Sequence, residues 1–215
     1  MKLDLWAFEK TLHTQGYDKI AGVDEAGRGP LAGPVVSAAV ILPWDFEVGR
    51  ITDSKQLTAR RRERLYARIY DEALAVGIGI VDAVEIDRIN ILQASRLSMA
   101  LAVANLSPQP EFVLIDGSFD IPARLPQQPI VKGDARSASV AAASIVAKVS
   151  RDRLMQRYHL DFPQFGFDRH KGYPTHAHKA AIAVHGPCLI HRRSFRGVRE
   201  YLPGPAGNSA SPDGC

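Results

Sequence analysis

Hydrophobic and polar positions along the chain alternate between two periods. Residues 19–24 (KIAGVD) form a short apolar run and residues 34–42 (PVVSAAVIL) a longer, β-branched one; both predict strands. From Thr58 to Val76 charged and apolar residues recur at helical spacing, with Leu65, Ile69 and Leu74 inward and Arg62 and Arg68 outward. Thr58 is a candidate N-cap, and Gly77 ends the run. Residues 75–81 predict a third strand. Residues 84–106 predict one long helix, stopped by Ser107-Pro108. The run FVLI at 112–115 predicts a buried strand and residues 129–131 a weaker one. An alanine-rich helix is predicted over 137–159 and a small one after Pro174. Strands with intervening helices, and an unbroken apolar strand, predict an α/β sheet covered on both faces. The first two strands, joined by a glycine turn, add an antiparallel element.

Composition narrows the class. The chain has 215 residues, 46% hydrophobic and 23% charged, which suits one globular domain or one domain with a small appendage. No apolar run reaches the ~18 residues a membrane helix needs. Charges in MKLDLWAFEK fall where a signal peptide has its apolar core. Cys188 and Cys215 make neither a CxxC site nor a disulfide framework, so a cytoplasmic protein with reduced thiols is expected. A boundary is expected near 161–172, where helical pattern gives way to FPQFGFDRHKGYPT. The tail from Pro203, PGPAGNSASPDGC, is expected to be disordered.

The formal charge is only +4, but it is unevenly placed. Residues 148–200 hold eleven Lys or Arg against four Asp or Glu, and six of the seven histidines; the remainder holds sixteen against nineteen. A one-sided basic segment suits a phosphate polymer, and Arg192 and Arg193 are its expected phosphate contacts.

Acidic residues supply the candidate chemistry. In IAGVDEAGRGPLAG (20–33) a strand ends in Asp24 and Glu25, followed by Gly27-Arg28-Gly29. Neighbouring strand residues face opposite sides, so the two acids need a break or twist to act together. The glycines fit neither a dinucleotide fingerprint, whose third glycine would come one place earlier, nor a P-loop, which would end in Gly-Lys-Ser/Thr. FVLIDG delivers Asp116 at a strand's end. Asp152 lies one turn beyond Lys148 and can pair with it. Four acids on separate elements could converge on Mg²⁺ or Mn²⁺, hard ions suited to phosphodiester hydrolysis. A basic binding module with inert acids remains open at this point, as does another nuclease such as a junction resolvase.

Six ordered motifs narrow these alternatives: DEAGRGP (24–30), DSK (53–55), IDG (115–117), GDARSASVAAASIVAKVSRD (133–152), HKGYPT (170–175) and RRSFRGV (192–198). Together they resemble bacterial ribonuclease HII from about Ile20 to Val198. The 23 residues before Asp24 favour this type over its sibling HIII, which carries an added N-terminal domain. The resemblance implies a ribonuclease H-like α/β fold, a five-stranded mixed sheet flanked by helices. Residues 1–160 would be the catalytic core, 161–202 a basic helical extension and 203–215 the tail. It implies an endonuclease that uses Mn²⁺ or Mg²⁺; independently of it, a monomer without membrane association is expected. Its substrates would be the RNA strand of RNA–DNA hybrids and single ribonucleotides in duplex DNA, cut on their 5′ side to leave 3′-hydroxyl and 5′-phosphate ends. Asp24, Glu25, Asp116 and Asp152 would be the catalytic, metal-binding acids. Gly27, Arg28 and Gly29 would read the ribose 2′-hydroxyl, Tyr173 would stack on the sugar, and Lys55 would hold a phosphate. Asp134 ranks below Asp152 and is expected to shape the start of the following helix.

Overall fold

A computed structural model describes residues 4–48 and 58–202. The elements are α1 (Ala7–Thr14), β1 (Ile20–Ala26), β2 (Val35–Ile41), α2 (Ala59–Glu72), β3 (Ala75–Val81), α3 (Ala83–Ile89), α4 (Ile91–Ala104), β4 (Phe112–Asp116), β5 (Gln127–Ile130), α5 (Ala138–Asp161), α6 (Phe167–His170) and α7 (His176–His185). Three 3₁₀ turns lie at Gly133–Ala135, Pro163–Phe165 and Arg199–Tyr201. The strands form one sheet in the order β3-β2-β1-β4-β5. β1, β2 and β3 run antiparallel to their neighbours, whereas β1, β4 and β5 run parallel.

Every residue of β2 is buried, because helices cover both faces of the sheet. On one face Ala38 and Val40 pack with Ala142, Ile145 and Val149 of α5. On the other, Ala39 and Ile41 pack with Met99 and Val103 of α4. α5 lies so close to β1 that a Cβ at Gly22 would sit 2.1 Å from the Ser139 carbonyl carbon. That contact explains a glycine inside the apolar first half of β1.

The predicted helix over 84–106 is two helices. Asn90, at φ +68°, separates them, and its Oδ1 accepts from the amides of Leu92 and Gln93 to cap α4. The two side-chain hydrogen bonds hold asparagine in this positive-φ, extended-ψ backbone, where a residue without a short acceptor would have no such support. Asp82 caps α3 through the Glu85 amide. Thr58 caps α2 as the pattern indicates, through the Arg61 amide. The helix stops at Glu72, since all seven residues of β3 pair with β2.

α1 carries too few apolar positions to stand out in the sequence, yet it has a clear structural task. Its buried Glu9 accepts from the Ser137 hydroxyl at 2.6 Å and the Ser139 amide at 3.1 Å, holding the start of α5. After α5, the chain turns back over the β1–β2 connection. Phe165, Phe167, Ile182 and Val198 bury themselves against Leu31, Ala32 and Met155.

Candidate active site

The parallel register places the first two acids. Val23 lies beside Ile115, so the next residue of each strand, Asp24 and Asp116, emerges at the same end of the sheet. The Asp24 carboxylate accepts from the Glu25 amide at 2.7 Å and from the Ser144 hydroxyl of α5. Asp116 Oδ1 accepts from the Gly133 amide at 2.7 Å. The backbone between Asp24 and Glu25 shows no break; β1 runs on through Ala26. Both acids nonetheless line one cleft of about 510 Å³, because it opens across the strand's end. Gly27, Arg28, Gly29, Arg62, Asp116, Lys148 and Tyr173 share that lining.

Like charges and burial dominate the electrostatics. Burial, followed by the charges of Glu25 and Asp116, pushes the Asp24 carboxyl well above its usual range. Glu25 is also raised, by burial foremost; the Arg28 guanidinium, 3.3 Å from Glu25 Oε1, opposes this, and Asp116 reinforces it. Glu25 Oε2 is buried without a hydrogen-bond partner. Among the described residues, no three ligating side chains are already drawn together tightly enough to enclose a metal ion. The chemistry of the donors still fits a hard divalent cation: buried, mutually repelling carboxylate oxygens, one of them unpartnered.

Asp152 stands one step back. Its Oδ1 accepts from Lys148 Nζ at 2.7 Å, and it is Lys148 that reaches the cleft. The structure therefore gathers Asp24, Glu25, Gly27, Arg28, Gly29, Asp116 and Tyr173, and connects Asp152 to them through Lys148. Asp134 lies in the 3₁₀ turn just ahead of α5. Lys55 lies outside the described residues.

Two buried arginines shape the glycine loop, and sequence reasoning missed their role. Arg192, expected on phosphate, is fully buried. Its guanidinium donates to the carbonyls of Gly27, Arg28 and Gly33 at 2.5, 2.9 and 3.0 Å. Arg151 donates to the carbonyls of Ala32, Pro34 and Lys171. Burial lowers their pKa values to about 9 and about 10, respectively. The clue was present in RRSFRG and SRDR, but a count of charges does not separate a surface arginine from a buried one. Arg193 is exposed, and its backbone amide donates to Asp87.

The loop glycines differ in kind. At Gly27, φ is +101° and a Cβ would lie 2.1 Å from Arg151 Nε, so glycine is required by the fold itself. At Gly29 the nearest neighbour of a Cβ would be the Tyr173 ring at 3.8 Å. Gly29 and Tyr173 thus face one another across a narrow gap. Tyr173 is 41% exposed, and Lys148 Nζ lies 5.9 Å from its ring centroid.

The family model for ribonuclease HII matches residues 21–198. Ribonuclease HII of Geobacter metallireducens is 56% identical over 198 residues, covering 92% of this chain and 93% of that protein. Among solved structures, ribonuclease H2 from Pyrococcus horikoshii OT3 superposes with a TM-score of 0.72 at 28% identity, over 86% of this chain and 97% of the other. Bst ribonuclease HIII in complex with Mn²⁺ shares the fold at TM-score 0.66 and 20% identity, over 88% and 70% of the two chains.

Proposed function

The chain belongs to the ribonuclease HII family, and from that premise we propose how its cleft acts. The enzyme is an endonuclease that hydrolyses the RNA strand of RNA–DNA hybrids, and it depends on a divalent metal. We assign Asp24, Glu25, Asp116 and Asp152 as the acids that hold Mn²⁺ or Mg²⁺. The observation that carries this is the convergence of three of them in one cleft, with two carboxyls raised by burial and mutual repulsion. When bound, the cation supplies a more acidic water and charge stabilisation at the phosphate. The protein's own groups do the positioning. Ser144 and the Glu25 amide orient Asp24, the Gly133 amide orients Asp116, and Lys148 holds Asp152. Water oxygen attacks phosphorus, the bond to O3′ breaks, and a proton passes to that oxygen. The products carry 3′-hydroxyl and 5′-phosphate ends.

Selectivity for the ribose comes from the facing walls of the cleft. Arg192 draws the Gly27 and Arg28 carbonyls inward. Reading of the 2′-hydroxyl, both donor and acceptor, then falls to the outward groups of the Gly27–Gly29 loop. Tyr173 stacks on the sugar at the RNA–DNA step, and Lys55 holds a phosphate. The cut falls 5′ of a single ribonucleotide embedded in duplex DNA. These roles suit a monomeric cytoplasmic repair enzyme with a core over 1–160 and a basic extension over 161–202; among the described residues no helix is long and apolar enough to cross a membrane.

The test is cleavage of a duplex holding one ribonucleotide, beside a uniform hybrid and an all-DNA four-way junction, with Mn²⁺ or with chelator. The expected result is one metal-dependent cut 5′ of the ribonucleotide and an intact junction. A cut elsewhere, or a cleaved junction, overturns the assignment.

A further inference from the structure

Three histidines outside the cleft converge on the backbone that carries Tyr173. His178 Nδ1 lies 2.9 Å from the Tyr173 carbonyl, which can only accept, so Nδ1 carries the proton. In the neutral ring Nε2 is then bare. It lies 3.0 Å from His191 Nε2, so His191 must donate from that atom. His191 Nδ1 is left as an acceptor, and the Cys188 amide donates to it at 2.9 Å. The tautomers deduced from the two ends of this chain agree. His170 works alongside: its Nε2 faces the Phe165 carbonyl at 2.6 Å, leaving Nδ1 to accept from the Gly172 amide at 3.2 Å. The His170 and His178 rings stack with centroids 4.4 Å apart. Burial pushes His178 and His191 down to about 4, which keeps both neutral at pH 7.

Such a network has a mechanical consequence. Lys171 and Gly172 both have positive φ, so the turn before Tyr173 is not held by regular structure. Backbone bonds hold part of it, with the Tyr173 amide donating to the His170 carbonyl and the Thr175 amide to the Tyr173 carbonyl. The Gly172 amide and Tyr173 carbonyl are each tied to an imidazole as well, which adds to the control of the Tyr173 Cα–Cβ direction. At its far end, His191 pairs with Ala32, three residues after Gly29. The chain of bonds therefore joins the two walls of the cleft. We propose that His170, His178 and His191 form a neutral hydrogen-bonded relay that positions the Tyr173 ring against the Gly27–Gly29 loop. The functional consequence rests on the reading of Tyr173 as the sugar platform.

Long-range ¹H–¹⁵N spectra of the full chain at pH 7 test the relay directly. His178 is expected as the Nδ1–H form, and His170 and His191 as the Nε2–H forms. A charged ring or the opposite tautomer at His178 or His191 overturns it. For function, the readout is the ratio of kcat on a single-ribonucleotide duplex to kcat on uniform hybrid. His191→Leu, which has no donor, should lower that ratio about tenfold. His191→Gln, whose amide mimics the Nε2 donor, should restore it to within about threefold. In a Tyr173→Ala background the leucine substitution should change nothing further. An equal loss in both backgrounds, or an unchanged ratio in folded His191→Leu, overturns the proposal. If Tyr173→Ala itself leaves the ratio intact, the platform reading fails. The relay is then judged by the tautomers and by the Tyr173 ring resonances, which an effective relay would shift in His191→Leu or His191→Gln and an idle one would not.

Discussion

Replacing Arg192 with methionine separates its two possible roles. The substitution keeps length and apolar bulk but removes the donors to Gly27, Arg28 and Gly33. Each hydrogen bond from a charged group contributes ~1.5–3 kcal/mol, and each orphaned carbonyl costs ~1–3 kcal/mol when it stays dry. The three are not additive, and the variant no longer buries a cation, a relief of several kcal/mol. A net loss of about 3 kcal/mol is a reasonable balance. For a chain of this size it lowers Tm by ~6–12 °C. Cleavage should fall as well, since the loop's inward carbonyls lose their anchor. The salt dependence of hybrid binding should not change, because a buried guanidinium contacts no phosphate. Exposed Arg193 supplies the contrast: Arg193→Ala should leave Tm within ~1 °C, and should lower the magnitude of the log–log salt slope by ~0.9 if it meets a phosphate. Thermal unfolding and a salt series of binding isotherms on both variants decide the matter. An unchanged Tm and a slope reduced by about one in Arg192→Met would refute the buried-anchor account and restore the phosphate reading.

Asp24→Asn should abolish turnover yet raise the metal-free Tm, because it removes a buried charge repelled by Glu25 and Asp116; a lower Tm would contradict the cause assigned to its raised pKa. The pH dependence has a fixed sign. A carboxyl raised in the native state costs stability once it ionises, so metal-free stability should fall as pH climbs from the usual carboxylate range through the raised values of Asp24 and Glu25. Mn²⁺ affinity should rise with pH over that same window with release of protons, measurable by calorimetry in buffers of different ionisation enthalpy; pH-independent affinity would count against these ligands. Gly27→Ala should impair folding, through its clash with Arg151, whereas Gly29→Ala should fold normally and lose single-ribonucleotide cleavage selectively; equal Tm losses would remove the distinction between the two.

The central strands were legible because they are apolar on both faces, whereas β5, Gln127–Ile130, starts two residues before the expected 129–131 because its two glutamines carry no apolar signal. FVLI and PVVSAAVIL read as buried strands without further help, and both are. The break at Asn90 was hidden because the residues on either side keep helical spacing; only the capping capacity of asparagine marks it. α1 was hidden for a different reason. Its fixing contacts run from Glu9 to Ser137 and Ser139, more than a hundred residues away, so local periodicity carries no trace of them.

The candidate site divides along the same line. Asp24, Glu25 and Asp116 were legible because carboxylates at strand ends are local features, and parallel pairing of β1 with β4 is enough to bring them together. The machinery that holds the loop was not. Arg192 reaches carbonyls 159 to 165 residues earlier in the chain, and Arg151 reaches Pro34 across 117. Charge density along a sequence treats such arginines as surface, because it has no means of knowing that six backbone carbonyls have been turned toward them. Five of the six belong to residues 27–34, and a loop leaving the sheet has to satisfy them. The positive excess of the C-terminal segment is therefore a mixture. Arg192 and Arg151 are internal scaffolding for the cleft, Lys148, Arg153 and Arg199 are paired with Asp152, Glu63 and Glu200, and exposed cations such as Arg193 are the ones left to meet a phosphate backbone.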